Sequence, residues 1–400
     1  MKLYKRITAT LVLLAISFEL FACTSAIISG RLTPDGRPLM YKHRDTGNLN
    51  NRMVWYEGEK YSFLALVNSD TTVGESWMGA NEVGFSIMNT ASYNIKDDNV
   101  TKVDQEGILM YKALGKCKTL KDFEKFLDKY PKPLGVEANF GVIDAYGGAA
   151  YYEVNNTKWI KVDVNDARVA PHGYLVYTNF SYTGRVDEGF GYIRYNNADS
   201  KFREKSKSSN ITPQWIMNNI SRSFYNSLMD LDMADVAAQG TGWIPDSDYV
   251  PRRSSSASMI IQGVKEDEPL NKSILWTALG YPPITPMVPL FIEAANNQPV
   301  FMTSTSEDNA NAAICDKALS LKERVFSLNR GSGDKYLNYN ALSNDEGNGL
   351  MQQVIQLEEN SQRKMSAFIR DYHNSNESLN VLKALELQND VYEYYTEFIL

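Results

Sequence analysis

An α+β fold follows from three features of this chain. Short strand patterns separated by turn residues run from about residue 24 to 301, two helical patterns interrupt them ahead of Pro131, and three long amphipathic helical patterns fill the chain after about 304. Strand groups and helices segregated in this way pack as stacked layers rather than as alternating βα units.

The elements read in order. Residues 24–29 form a strand, Thr33-Pro34-Asp35-Gly36 a turn, and residues 38–44 a returning strand. Residues 62–68 are strand. Residues 75–78 and 85–90 flank Ala80-Asn81-Glu82-Val83-Gly84, which suits a hairpin. Of the two helices, the second opens on Thr119 as N-cap with Asp122 three residues on. It carries Leu120, Phe123 and Leu127 on one face and stops at Pro131. Residues 140–144 and 149–154 bracket the hairpin signal Tyr146-Gly147-Gly148, and 159–164 and 174–179 continue the strands. Residues 213–228 read as helix, then 257–263, 274–279 and 290–294 as strands. Residues 308–328, 347–372 and 377–398 read as helices with no strand signal, with Gly331-Ser332-Gly333 as a flexible joint. This divides the chain into a leader over 1–22, a main domain over 23–304 and a helical extension over 305–400 packed on it.

The leader has the form of a secretory signal peptide. Lys2, Lys5 and Arg6 precede a mostly apolar run from Leu11 to Phe21, and Ala22 supplies the small residue before a cut. The run is short for a membrane span, so the reading is export to the periplasm or outside the cell without a transmembrane segment. The net charge of −7 argues against nucleic acid as a partner. Three cysteines, Cys23, Cys117 and Cys315, are too few for a disulfide framework, so three thiols are expected, with Cys117 and Cys315 buried and inert. The three histidines form no ligand-spaced cluster, and neither metal nor cofactor is expected.

A cut before Cys23 would place a thiol and a free α-amine on one residue, a self-contained nucleophile and base for amide chemistry. The amine, with a reference pKa near ~8, can accept the thiol proton. A carboxylate must orient it, and donors must hold the oxyanion. Lys42-His43-Arg44-Asp45 ends the second strand, beside Cys23 if the first two strands pair. There Asp45 is placed to orient the amine, and Lys42 or Arg44 to favour the thiolate. His43 is the alternative partner for the thiol, although a lone histidine at a strand end more commonly makes a structural hydrogen bond. The competing reading of Cys23 is lipidation. Phe21 suits that poorly, and a strand pattern starts at once where a lipoprotein has a tether.

Cys23-Thr24-Ser25 followed by Asp35-Gly36-Arg37-Pro38-Leu39-Met40-Tyr41-Lys42-His43-Arg44-Asp45 resembles the start of the N-terminal-nucleophile (Ntn) linear-amide hydrolases. These comprise choloylglycine hydrolases, penicillin V acylases and acyl-CoA:6-aminopenicillanic acid acyltransferases. Lys42 stands where that family usually has arginine. Gly79-Ala80-Asn81-Glu82-Val83-Gly84-Phe85, Tyr177-Thr178-Asn179 and Arg194-Tyr195 are similar to later family segments, and Trp276-Thr277-Ala278-Leu279-Gly280-Tyr281-Pro282 is closer to the acyltransferase-like branch. The resemblance spans about 23–294. It implies an αββα four-layer sandwich, an oxyanion hole from the Asn89 N–H and the Asn179 side chain, and a late arginine in Pro251-Arg252-Arg253-Ser254, taken as Arg253. Trp77, Asn81 and Tyr93 are the candidate substrate contacts. The implied activity is hydrolysis of small-molecule N-acyl amides without a cofactor. An Ntn dipeptidase, an N-acyltransferase and a non-catalytic surface lipoprotein are the alternatives, and a homo-oligomer is compatible with the chain.

Overall fold

The computed structural model describes residues 22–71, 74–304, 310–375 and 377–399; the leader pattern over 1–21 lies outside them. Its strands are β1 (Thr24–Ile28), β2 (Leu39–Asp45), β3 (Asn51–Tyr56), β4 (Phe63–Asn68), β5 (Met78–Asn81), β6 (Ser86–Ala91), β7 (Ala138–Ile143), β8 (Ala149–Val154) and β9 (Trp159–Asp163), then β10 (Tyr174–Tyr177), β11 (Tyr225–Asn226), β12 (Leu231–Asp232), β13 (Trp243–Pro245), β14 (Ser255–Gln262), β15 (Ile274–Leu279), β16 (Val288–Phe291) and β17 (Tyr336–Asn338). The helices are α1 (Glu106–Leu114), α2 (Leu120–Lys129), α3 (Tyr192–Ser206), α4 (Pro213–Ile216), α5 (Met233–Ala238), α6 (Ala313–Val325), α7 (Leu350–Asn374) and α8 (Val381–Phe398).

Two large sheets organise the chain. A seven-stranded meander runs β3-β4-β5-β6-β7-β8-β9, and a six-stranded sheet runs β10-β1-β2-β14-β15-β16. All of their pairings are antiparallel. Ile27, Met40 and Met259 of the second sheet share one apolar cluster with Leu64, Met78 and Met88 of the first. The other face of the seven-stranded sheet packs Ile87, Phe140 and Tyr152 on Leu109, Phe123 and Leu127 of α1 and α2. The other face of the six-stranded sheet packs Ala26, Tyr41 and Ile260 on Phe202 of α3 and on Met365 and Leu387 of α7 and α8. The mixed α/β class is as expected.

Local chemistry accounts for several element ends. At α2, Asp122 N donates to Thr119 Oγ1 at 3.1 Å and Thr119 N donates to Asp122 Oδ2 at 3.1 Å, a capping box worth about 1 kcal/mol. At the β7–β8 turn, Gly147 takes a φ of +81° that a side chain would resist, while Asp144 Oδ1 accepts from Tyr146 N and Gly148 N at 2.9 Å each.

Other expectations are corrected. The strand expected over 75–78 runs Met78–Asn81, because Asn81 itself closes the turn into β6. The helix expected over 213–228 is a single α turn followed by a π turn ending at Ser221. It stops because the Arg222 guanidinium is drawn inward to Pro282 O at 3.2 Å, Thr285 O at 3.0 Å and Glu358 at 2.7 Å. Helix α3 had no clear amphipathic signature, since its buried positions include Arg194 and Asn197 as well as Ala198 and Phe202. The extension is not purely helical: β17 pairs with β13. It also shares the apolar clusters of both sheets, through Leu321, Val354 and Tyr395 in one and Ile369 and Leu387 in another.

Glu358 fastens α7 to the sheets. Its two oxygens take Arg222 Nη1 and Nη2 at 2.7 Å each, and Oε1 also accepts Met287 N at 2.6 Å. Removing one partner of a buried bidentate pair leaves the other uncompensated. Glu358→Ala should therefore lower unfolding stability by about 3 kcal/mol in urea titration. A loss below about 1 kcal/mol would mean that apolar packing alone holds this helix.

Candidate active site

Cys23 lies just ahead of β1 and is buried, with 6% of its surface exposed. β1 pairs with β2 so that Thr24 opposes His43 and Ser25 opposes Lys42. Continuing that register sets Arg44 opposite Cys23 and Asp45 opposite Ala22. Because side chains alternate, the two strands offer two chemically different faces. Ser25 Oγ meets Tyr151 Oη of the facing sheet at 3.0 Å, which puts Cys23, Ser25, Lys42 and Arg44 on the inter-sheet side. Thr24, Tyr41, His43 and Asp45 point towards the helices.

The inter-sheet side carries two buried cations. Lys42 Nζ donates to Asn89 Oδ1 at 2.7 Å and to Trp77 O at 2.8 Å. Arg44 donates to Asn51 Oδ1 at 2.6 Å and Asn68 Oδ1 at 2.7 Å, and its guanidinium lies 4.9 Å from the Trp77 ring centre. Among the described residues neither forms an ion pair. Their charges are thus solvated by neutral oxygens and one aromatic face. Burial pushes the Lys42 ammonium down to about 8 and Arg44 down to about 10, and for both the strongest opposing influence is Cys23. Burial also raises the Glu106 carboxyl at the start of α1 to about 7, within electrostatic reach of Lys42.

The helix side is a hydrogen-bonded frame. Asp45 is fully buried; its Oδ2 accepts from Arg252 Nη2 at 2.9 Å and Nε at 3.1 Å, and its Oδ1 from Ser255 Oγ at 2.7 Å. A bulge between Ser255 and Ala257 in the β14–β2 pairing lets Ser255 and Asp45 meet. His43 Nε2 sits 2.8 Å from Ser255 Oγ, and burial pushes the ring down to about 4, so it is neutral and structural here. Arg194 ties this frame to Cys23. Its Nη1 donates to Cys23 O at 2.8 Å and Thr24 Oγ1 at 3.0 Å, and its Nη2 to Asn179 Oδ1 at 2.8 Å. Asn179 Nδ2 in turn donates to Ala91 O at 3.0 Å, two residues beyond Asn89.

Cys23, Lys42, Arg44, Asp45, Asn89 and Asn179 are therefore brought together, and Tyr93, whose N–H donates to Asn179 O at 3.4 Å, stands at their edge against Phe190. Trp77 contributes its carbonyl to Lys42 and its ring to Arg44. Two assignments are corrected. Arg253 turns away: its Nε donates to Asp334 O at 3.1 Å and its guanidinium covers Phe326, while the preceding Arg252 reaches Asp45. Asn81 is a structural residue, with Nδ2 on Leu114 O and Cys117 O at 2.8 Å each and Oδ1 on the N–H groups of Val83 and Phe85. Arg194 and Arg252 were both within recognised segments, but no local pattern marked the first as a clamp or chose between adjacent arginines. Cys117 and Cys315 are buried free thiols, pushed up by burial to about 12 and about 11. Among the described residues, no group of three or more His, Cys, Asp or Glu could hold a metal and no helix is long and apolar enough to cross a membrane.

No family model matches the chain, and no curated protein matches it in sequence. Among solved structures it is similar to a Caenorhabditis elegans N-acylethanolamine-hydrolyzing acid amidase ortholog, at 14% identity and a TM-score of 0.38, over 60% of this chain and 92% of that one. It is also similar to a mutant of conjugated bile acid hydrolase from Clostridium perfringens, at 12% identity and a TM-score of 0.41, over 67% and 92%. A third is penicillin V acylase from Agrobacterium tumefaciens, at 12% identity and a TM-score of 0.37, over 67% and 86%.

The buried Lys42 has a definite pH signature. Its folded value of about 8 lies below the ordinary 10.5, so between these the unfolded chain binds more protons and folding stability gains with rising pH. That contribution is complete above 10.5 and is lost as pH falls through about 8. The stability difference between wild type and Lys42→Met should therefore shift towards wild type by on the order of 3 kcal/mol from pH 7.5 to 10.5. A difference flat with pH would mean that the ammonium is hydrated.

Proposed function

We propose that the chain is a cysteine Ntn amidohydrolase that cleaves linear amides of small N-acyl compounds after export, on a four-layer αββα sandwich. The carrying observation is the pair of buried cations, Lys42 and Arg44, held by neutral acceptors on the same sheet face as Cys23. Negative charge that develops at an acyl centre on this face meets two fixed cations.

The chemistry begins with removal of the segment ending at Ala22. The Cys23 α-amine takes the thiol proton while Sγ bonds to the acyl carbon. The Asn89 N–H and the Asn179 amide receive the oxyanion, in the manner of preorganised donors worth about 3 kcal/mol each. The C–N bond then breaks as the ammonium passes its proton to the departing amine. Water next adds to the thioester, the C–S bond breaks, the carboxylic acid leaves and the sulfur regains its proton. Asp45, fixed by Arg252 and Ser255, orients the amine at the level of the 22–23 peptide. No cofactor takes part. Burial of Cys23 with β1 starting at the next residue disfavours a lipid-tethered N-terminus.

Intact mass of the exported protein should show a chain beginning at unmodified Cys23; a lipid adduct or a different start would refute the mechanism. Across a panel of N-acyl amino acids and penicillin V, Cys23→Ser should lower kcat by about a hundredfold or more with folding intact. Unchanged turnover would move the site elsewhere. Arg252→Ala should lower kcat/KM by about tenfold or more and Arg253→Ala by less than about threefold, because only the former contacts Asp45. Equal losses would contradict this assignment.

A further inference from the structure

The turn that presents Arg252 and Ser255 to Asp45 is closed on itself. Ser255 N donates to Arg252 O at 3.0 Å, and Arg252 N donates to Ser255 Oγ at 3.0 Å. Ser254 O accepts from Thr46 N at 2.9 Å, and the two other carbonyls, of Arg253 and Ser255, are met from the C-terminal extension. Lys322, on α6 of the C-terminal extension, donates its Nζ to Arg253 O at 2.5 Å and to Ser255 O at 3.0 Å. The ammonium lies 5.0 Å from the Tyr281 ring centre and 5.8 Å from that of Phe326, with 6% of the residue exposed. Asp246 grips the same turn through Arg253 N, at 3.0 and 3.2 Å.

Stability alone gives a poor reason for a lysine here. Burying an ammonium costs several kcal/mol, and Lys322 makes no ion pair among the described residues. An apolar side chain would pack against Tyr281 and Phe326 without that cost. What the lysine adds is two directed hydrogen bonds to the turn behind the Asp45 carboxylate.

We infer that Lys322 is a positioning residue for the chemistry at Cys23: the C-terminal extension braces residues 252–255 and so aims Arg252 and Ser255 at Asp45. This rests on the Ntn reading above. Burial pushes the Lys322 ammonium down to about 7, with Asp246 and Asp45 the main opposing charges.

The test compares Lys322→Met and Lys322→Arg in the full exported protein. Two readouts are used: kcat/KM on the substrate that wild type hydrolyses best, and the pH midpoint of Cys23 alkylation by iodoacetamide, read by peptide mass. The titratable and charged groups facing that sulfur and its strand include Lys42, His43, Arg44, Asp45, Tyr93, Tyr151, Arg194 and Arg252. Lys322→Met should lower kcat/KM by about tenfold or more and move the alkylation midpoint, whereas Lys322→Arg, which keeps charge and donors, should recover most of both. In an Arg252→Ala background, Lys322→Met should add less than about threefold. If Lys322→Met does not fold, Lys322→Gln takes its place with the same expectation. Folded variants with unchanged kcat/KM and unchanged alkylation midpoint overturn the inference. If instead Cys23→Ser retains full activity, it is the nucleophile reading that fails, and the alkylation midpoint still reports whether Lys322 acts on Cys23.

Discussion

Positive charge that has no carboxylate ion-pair partner among the described residues is the constraint around which the centre of this molecule is built. Two cations occupy the space between the sheets, and among the described residues their contacts are amide oxygens, a main-chain carbonyl, a hydroxyl and a ring face. Such acceptors repay desolvation while leaving the net charge in place. An ion pair would have cancelled the field. Held as they are, Lys42 and Arg44 keep a positive potential in a region of low dielectric. They also cross-link the layers, since Asn51, Asn68, Trp77 and Asn89 all belong to the opposite sheet or its connections.

The helix side uses the reverse strategy. There the carboxylate of Asp45 is matched by Arg252, and Arg194 bridges the main chain of Cys23 to the side chain of Asn179. One guanidinium therefore sets the spacing between the Cys23 backbone and the Asn179 side chain. The strand register explains how one hairpin can do both jobs. Odd and even residues of β1 and β2 look in opposite directions, so cations and carboxylate are neighbours in sequence yet separated by the plane of the sheet.

Much of this was legible beforehand, and the reasons are particular. The β1–β2 hairpin is local, with a Pro-Asp-Gly turn between alternating residues, so the proximity of Asp45 to Cys23 followed from pairing alone. The capped helix α2 and the β7–β8 hairpin carried equally local signals. What escaped reading depends on distant packing. The choice of Arg252 over Arg253 is made by a bulge in β14 and by Phe326, far along the chain. Asn81 looked like part of a site because it sits in a conspicuous segment, but all its polar capacity is spent on the turn and on the end of α1. The shortened helix after Pro213 reflects Arg222 being claimed by Glu358.

The two sheets differ in how their strands are drawn from the chain, and this bears on the order in which they assemble. The seven-stranded sheet is a meander of sequential neighbours and can grow hairpin by hairpin. The six-stranded sheet joins β1 and β2 to strands that follow much later, so its closure waits for long loops to be ordered. The surroundings of Cys23 draw on β1, β6, α3 and β14. Those segments lie far apart in the chain, so the groups around Cys23 meet only once the long-range pairings of the six-stranded sheet are made.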